Sequence, residues 1–242
     1  MESRDGGFYD LLRRSLAILF LVGVFCLQTS ASEGGTALPD SYLAKVDSIP
    51  DFPQVPPGSG RATGRASQFC GPAAVTNVLV WLDNNGFPDM VPDVANASVE
   101  YKLMKYLGQD SFMKVGKTGS SPSNVMSGLY KYCRQRGYRP LIEWRGWRKG
   151  GPFKTSGVPD LRWLFAGSIG TSNVILNIGF YRYEAGTDTY SRISGHFVTM
   201  VGYEGAYGAN PKIIIHDPSL RSGRVTKHEY CRLVLIRSGT FA

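Results

Sequence analysis

Residues 70–82 read Cys-Gly-Pro-Ala-Ala-Val-Thr-Asn-Val-Leu-Val-Trp-Leu. Val75, Val78, Leu79 and Leu82 fall at i, i+3, i+4 and i+7, the spacing of one apolar helix face. Pro72 suits a first helical turn, where a missing N–H removes no hydrogen bond, and Gly86 after Asn85 is a natural stop. The spacing predicts a helix that buries one face and carries Cys70 at its mouth. Backbone N–H groups at a helix N-terminus stabilise negative charge, so a thiol placed there gains thiolate character. Gly71 would let a substrate backbone approach, and the Cys70 N–H is a candidate oxyanion donor. The competing reading of Cys70 is a small buried hydrophobe.

Beyond this helix, a second is expected over about 98–107, closed by Gly108. A third starts at Ser121-Pro122 and runs through Val125, Met126, Leu129, Tyr130 and Cys133 to Gly137, and a short fourth spans 160–166. The second half changes character. Residues 174–178, 197–201, 213–215 and 233–236 are short apolar or β-branched runs separated by Gly, Asn, Asp and Ser. Helices followed by strands indicate an α+β fold, with N-terminal helices packed on a C-terminal antiparallel β-sheet. The Trp144-Arg145-Gly146-Trp147 stretch between the two halves is a candidate lining for a peptide groove.

The N-terminus reads differently. Arg13 and Arg14 precede an apolar run over residues 16–27, followed by Gln28-Thr29-Ser30-Ala31-Ser32, the order of a secretory signal peptide. Twelve residues fall short of the roughly 20 a spanning helix needs. The expectation is a signal over 1–32, secretion or periplasmic export, and no stable membrane span after removal; the chain would be membrane-anchored if the signal stayed. Residues 33–66, rich in Pro and Gly, read as an extended leader, and 67–242 as a single domain.

The formal net charge is +8, from 27 Lys and Arg against 19 Asp and Glu. The positive residues are scattered and no nucleic-acid-binding signature accompanies them, so no nucleic acid is expected as a partner. No metal-ligand or nucleotide motif is present, so no metal and no cofactor are expected. Without the signal, Cys70, Cys133 and Cys231 remain; pairing Cys133 with Cys231 spares Cys70, and all three free is the alternative.

A reactive thiolate needs an acid to protonate its leaving group, and imidazole titrates in the right range. The histidines are His196, His216 and His228. His196 opens a β-prone run bracketed by Gly195 and Gly202, at a strand end able to offer its side chain to a cleft. His228, among Lys227, Glu229 and Tyr230, reads as a surface residue. In Ile213-Ile214-Ile215-His216-Asp217-Pro218, strand alternation sends His216 and Asp217 to opposite faces. Asp217 is favoured as the carboxylate that holds His196 in one tautomer, with His216 as base, steadied by another residue, kept as the competing assignment.

The ordered set of Phe69-Cys70-Gly71-Pro72-Ala73-Ala74, Thr118-Gly119-Ser120-Ser121-Pro122, Gly195-His196-Phe197-Val198 with Gly202-Tyr203, and Ile215-His216-Asp217-Pro218 resembles the papain-like cysteine peptidases, and most closely the C39-like peptidase family. The resemblance spans roughly residues 67–218. It implies a papain-like fold and hydrolysis of peptide or amide bonds through an acyl-thioenzyme, with Cys70 as nucleophile, His196 as acid and base, Asp217 as orienting residue, and a peptide or protein substrate. The family normally places an oxyanion-hole glutamine about six residues before the cysteine, where this chain has Gly64. Gln68 is the nearest glutamine and the candidate donor, with the Cys70 amide and another group as the alternative. Acyl transfer to an amine, and a binding module without activity, are the rival functions.

Overall fold

The computed structural model describes residues 17–26, 37–55, 67–92, 97–146, 151–153, 160–184, 186–187, 189–219, 229–232 and 240–241, with backbone alone at 17–26, 97, 151, 189, 229–232 and 240–241. Four helices appear among them: α1 (Cys70–Asn84), α2 (Ala97–Leu107), α3 (Pro122–Gln135) and α4 (Leu161–Ser168). Three strands, β3 (Asn173–Glu184), β4 (Thr189–Glu204) and β5 (Lys212–His216), form the antiparallel centre of the sheet. The remaining strands are β1 (Ala17–Cys26), β2 (Leu141–Ile142), β6 (Glu229–Arg232) and β7 (Thr240–Phe241). The sheet runs β2-β1-β3-β4-β5-β6, and β7 lies parallel to the start of β4. The fold is therefore an α+β mix, and among the described residues no helix is long and apolar enough to cross a membrane.

Local chemistry accounts for the helix starts. Ser121 accepts the Asn124 N–H at 3.2 Å ahead of Pro122, and Asp160 accepts the Trp163 N–H at 2.8 Å; a cap of this kind contributes about 1 kcal/mol. The α1 helix departs from the expected single buried face, because residues 70–82 are all buried. It lies between the sheet and the other helices. Val75, Val78, Leu79 and Leu82 share a core with Leu103, Leu107, Val125 and Leu129 of α2 and α3, and with Ile175, Phe197, Val201 and Ile214 of the sheet. The other sheet face packs Val174, Leu176, Val198, Met200 and Ile215 against Leu164 and Phe165 of α4.

Two stretches take places that composition did not indicate. Residues 17–26, read as the core of a signal, lie in the sheet as β1, antiparallel to β3 with Leu19 opposite Ile178. A short apolar run serves either role, and periodicity does not separate them. Residues 37–55 form a strap laid along the domain. Tyr42 bridges Tyr203, and Ile49 and Val55 are buried. Lys45, also buried, donates to the Ser172 carbonyl and sits 4.5 Å from the centre of the Trp81 ring. A cation so placed keeps polar and π partners in place of water.

Cys133 is a free, fully buried thiol, so the pairing with Cys231 is not formed. Its neighbours are the apolar side chains of the α1–α3 core, and burial pushes its pKa up to about 12. Trp144 is likewise part of that core and does not line a groove; its backbone N–H is bound to the Phe153 carbonyl at 2.8 Å. Trp147, His228 and the run 233–236 lie outside the described residues.

Candidate active site

Cys70 is the first residue of α1, preceded by Phe69, which offers no side-chain cap. The first N–H groups of a helix have no partner within it, and here the sulfur accepts that of Gly71. Burial by itself would push the thiol up. It is outweighed by the hydrogen bond and charge of His196 and by the N–H groups of Phe197 and Gly71, so the Cys70 pKa falls below its ordinary value of 9.0. The Phe197 N–H belongs to the peptide that joins it to His196. One backbone unit of β4 therefore brings both a donor and an imidazole to the sulfur.

The His196 ring reaches Asp217, with Nε2 at 2.6 Å from Oδ1. That leaves Nδ1 as the nitrogen available to sulfur. Burial favours a neutral ring. The Asp217 and Cys70 hydrogen bonds and charges override it and push the His196 pKa up to about 10. Asp217 stands just past the end of β5, where the Ser219 N–H donates to the same Oδ1 at 2.8 Å. Burial would raise its pKa, but His196 and then Ser219 hold it below the ordinary carboxylate range. Each of the three groups thus favours the charged form of its neighbour: thiolate at Cys70, imidazolium at His196 and carboxylate at Asp217. The side chains of His196 and Asp217 are 13% and 22% exposed, so the cluster opens to solvent at its rim.

His216, one residue before Asp217, is 2% exposed and stays out of this cluster. Its Nδ1 lies 3.4 Å from the Pro50 carbonyl of the strap. Gln68 has its side-chain amide donating to Ser67 Oγ at 3.0 Å, beside a tight turn in which Gly116 and Gly119 exchange backbone hydrogen bonds. Gly119 has φ +84, a conformation suited to glycine. Gly71 does not face an open approach for substrate. It is buried, and a Cβ there would stand 3.0 Å from Val125 Cγ2 and 3.4 Å from the Phe197 ring, so its small size serves the packing of α1 on α3 and β4.

The residues that sequence reasoning missed act through the backbone: the N–H groups of Phe197 and Ser219, and the strap. No side-chain pattern marks a backbone donor. Among the described residues no group of His, Cys, Asp and Glu is arranged to hold a metal ion. No protein-family model, no curated protein and no solved structure matches the chain.

Proposed function

We propose that this chain is a papain-like cysteine peptidase resembling the C39-like family, which hydrolyses peptide or related amide bonds with Cys70, His196 and Asp217. One observation carries the reading: a thiol of lowered pKa and a carboxylate meet on the same imidazole. That constellation on a helix mouth, a strand and a strand end matches the roles of nucleophile, acid and base, and orienting group.

In the proposed cycle the Cys70 thiolate attacks the carbonyl carbon of the scissile amide. The C=O electron pair moves onto oxygen. The Cys70 N–H is a donor for that oxyanion, and Gln68 serves as a second if its amide turns from Ser67 Oγ. As the tetrahedral species collapses, the C–N bond breaks and His196 gives its proton to the departing amine. Water then attacks the thioester, losing a proton to His196; the C–S bond breaks and the thiolate–imidazolium pair returns with a free carboxylic acid. Asp217 keeps its negative charge throughout and holds the ring.

A silent binding module is the second reading, favoured by the engagement of Gln68 with Ser67. Iodoacetamide labelling across pH separates the two. Cys70 labelling well below pH 7 supports the peptidase, and labelling only near the ordinary thiol range of about 8.5 sinks it. Hydrolysis of a fluorogenic peptide mixture, abolished in Cys70→Ala, completes the test.

A further inference from the structure

Asn77 is fully buried in the middle of α1. Asparagine is a poor residue for a helix interior, and an unpaired buried amide costs free energy. Its side chain is committed to the strap. Oδ1 accepts the Phe52 N–H at 3.2 Å, and Nδ2 donates to the Phe52 carbonyl at 3.3 Å. Both backbone groups of one strap residue are thus held by one side chain two helical turns along from Cys70.

The strap grips the other half of the site at two points. Two residues before Phe52, the Pro50 carbonyl takes a hydrogen bond from His216 Nδ1 at 3.4 Å. Two residues after it, the Gln54 N–H donates to the Pro218 carbonyl at 2.9 Å. These contacts fall on the residues immediately before and after Asp217. Gln54 and Val55 are 4% and 3% exposed, so this part of the strap is sheltered from water, where hydrogen bonds exchange less readily with solvent.

We propose that residues 50–55 are a clamp fixing the end of β5 relative to α1, and that Asn77 is a positioning residue for Asp217. The inference rests on the peptidase reading above. Asp217 stands beyond the last residue of its strand, and the sheet alone does not hold its backbone there. Held from both sides, its carboxylate stays on His196, and His196 stays charged beside the thiolate. Groups of this kind act only when held to about 0.5 Å. On this reading the leader promotes activity and does not block the site.

The test uses the full chain, with Asn77→Ala removing the anchor and Gln54→Pro removing the N–H that holds Pro218. Cys70 labelling by iodoacetamide is followed by peptide mass mapping from about pH 4 to about pH 9, with near-ultraviolet circular dichroism on each variant. The midpoint is expected to rise by about one pH unit or more in both variants, slowing labelling about tenfold at low pH, with the dichroism unchanged. A profile superimposable on wild type, or loss of the native dichroism in both variants, overturns the clamp, since the strap would then be a purely structural girdle. Wild-type protein that labels only in the ordinary thiol range overturns the peptidase reading itself. The two failures are therefore distinct.

Discussion

Oδ1 of Asp217 lies 2.6 Å from Nε2 of His196, across 21 positions of sequence. The carboxylate both aims the ring and supports its positive charge. Asp217→Asn keeps the shape and removes the charge. The His196 pKa is expected to fall from its value of about 10, and the thiolate loses its partner. Cys70 labelling should then require higher pH, and peptide hydrolysis should fall by roughly 100-fold or more. Unchanged labelling in the variant would remove Asp217 from the site.

In the proposed peptidase cycle, hydrolysis needs the thiolate and the imidazolium together. The pair exists above the lowered pKa of Cys70 and below the raised pKa of His196. The pH profile of kcat/KM is therefore expected to rise on the acid side as the pair forms and to decline near pH 10 as the ring loses its proton. A decline centred near the ordinary histidine value of about 6.5 would show that the ring is not held charged.

His196→Ala tests the other direction. With the ring gone, burial is no longer outweighed by its hydrogen bond and charge, so the Cys70 pKa should move up. Labelling near neutral pH should slow by at least about tenfold. Equal labelling of variant and wild type would mean that the helix mouth alone activates the thiol.

Glu100 on α2 is 2% exposed, and among the described residues its Oε2 has no hydrogen-bond partner. Burial pushes its pKa from an ordinary 4.5 up to about 8. Below pH 4.5 folded and unfolded chains both hold this proton. Between pH 4.5 and about 8 only the folded chain does, so this group's contribution to stability falls as pH rises, by about 1.4 kcal/mol per unit at most. Glu100→Gln should flatten that decline and raise the thermal midpoint near neutral pH. Urea titrations at several pH values measure it, and an unaltered slope would refute the buried, protonated acid.

Gly128 on α3 packs against backbone. A Cβ there would lie 2.7 Å from the Phe112 carbonyl carbon and 2.8 Å from the Met113 nitrogen, atoms that cannot rotate away. Gly128→Ala is expected to cost about 1–3 kcal/mol and to lower the thermal midpoint by several degrees, without shifting the pH at which Cys70 labels. A midpoint at or above wild type would contradict this packing.

Several elements were legible because their causes are local. Pro72, Ser121 and Asp160 act on the turns that immediately follow them, and the β-branched runs at 174–178, 197–201 and 213–215 each fall within a longer strand. The extent of those strands was not legible. It depends on which segments pair, as when Val174 comes to lie opposite Met200 and the same β3–β4 ladder runs on past the apolar cores to Tyr183 and Tyr190. Trp144 shows the same limit, since its composition suits a groove or a core equally well and only the neighbouring helices decide.

The sequence by itself determined where helices begin and where strands centre, and it offered Cys70, His196 and Asp217 as candidates, because capping, periodicity and side-chain type are properties of a residue and its near neighbours. Tertiary structure alone decided that α1 is buried along residues 70–82, how closely Asp217, favoured from strand alternation, approaches His196, that His216 turns to Pro50, and that Asn77 meets Phe52 across 25 positions. Such contacts come from the packing of whole elements, and no short window of residues contains the forces that set them.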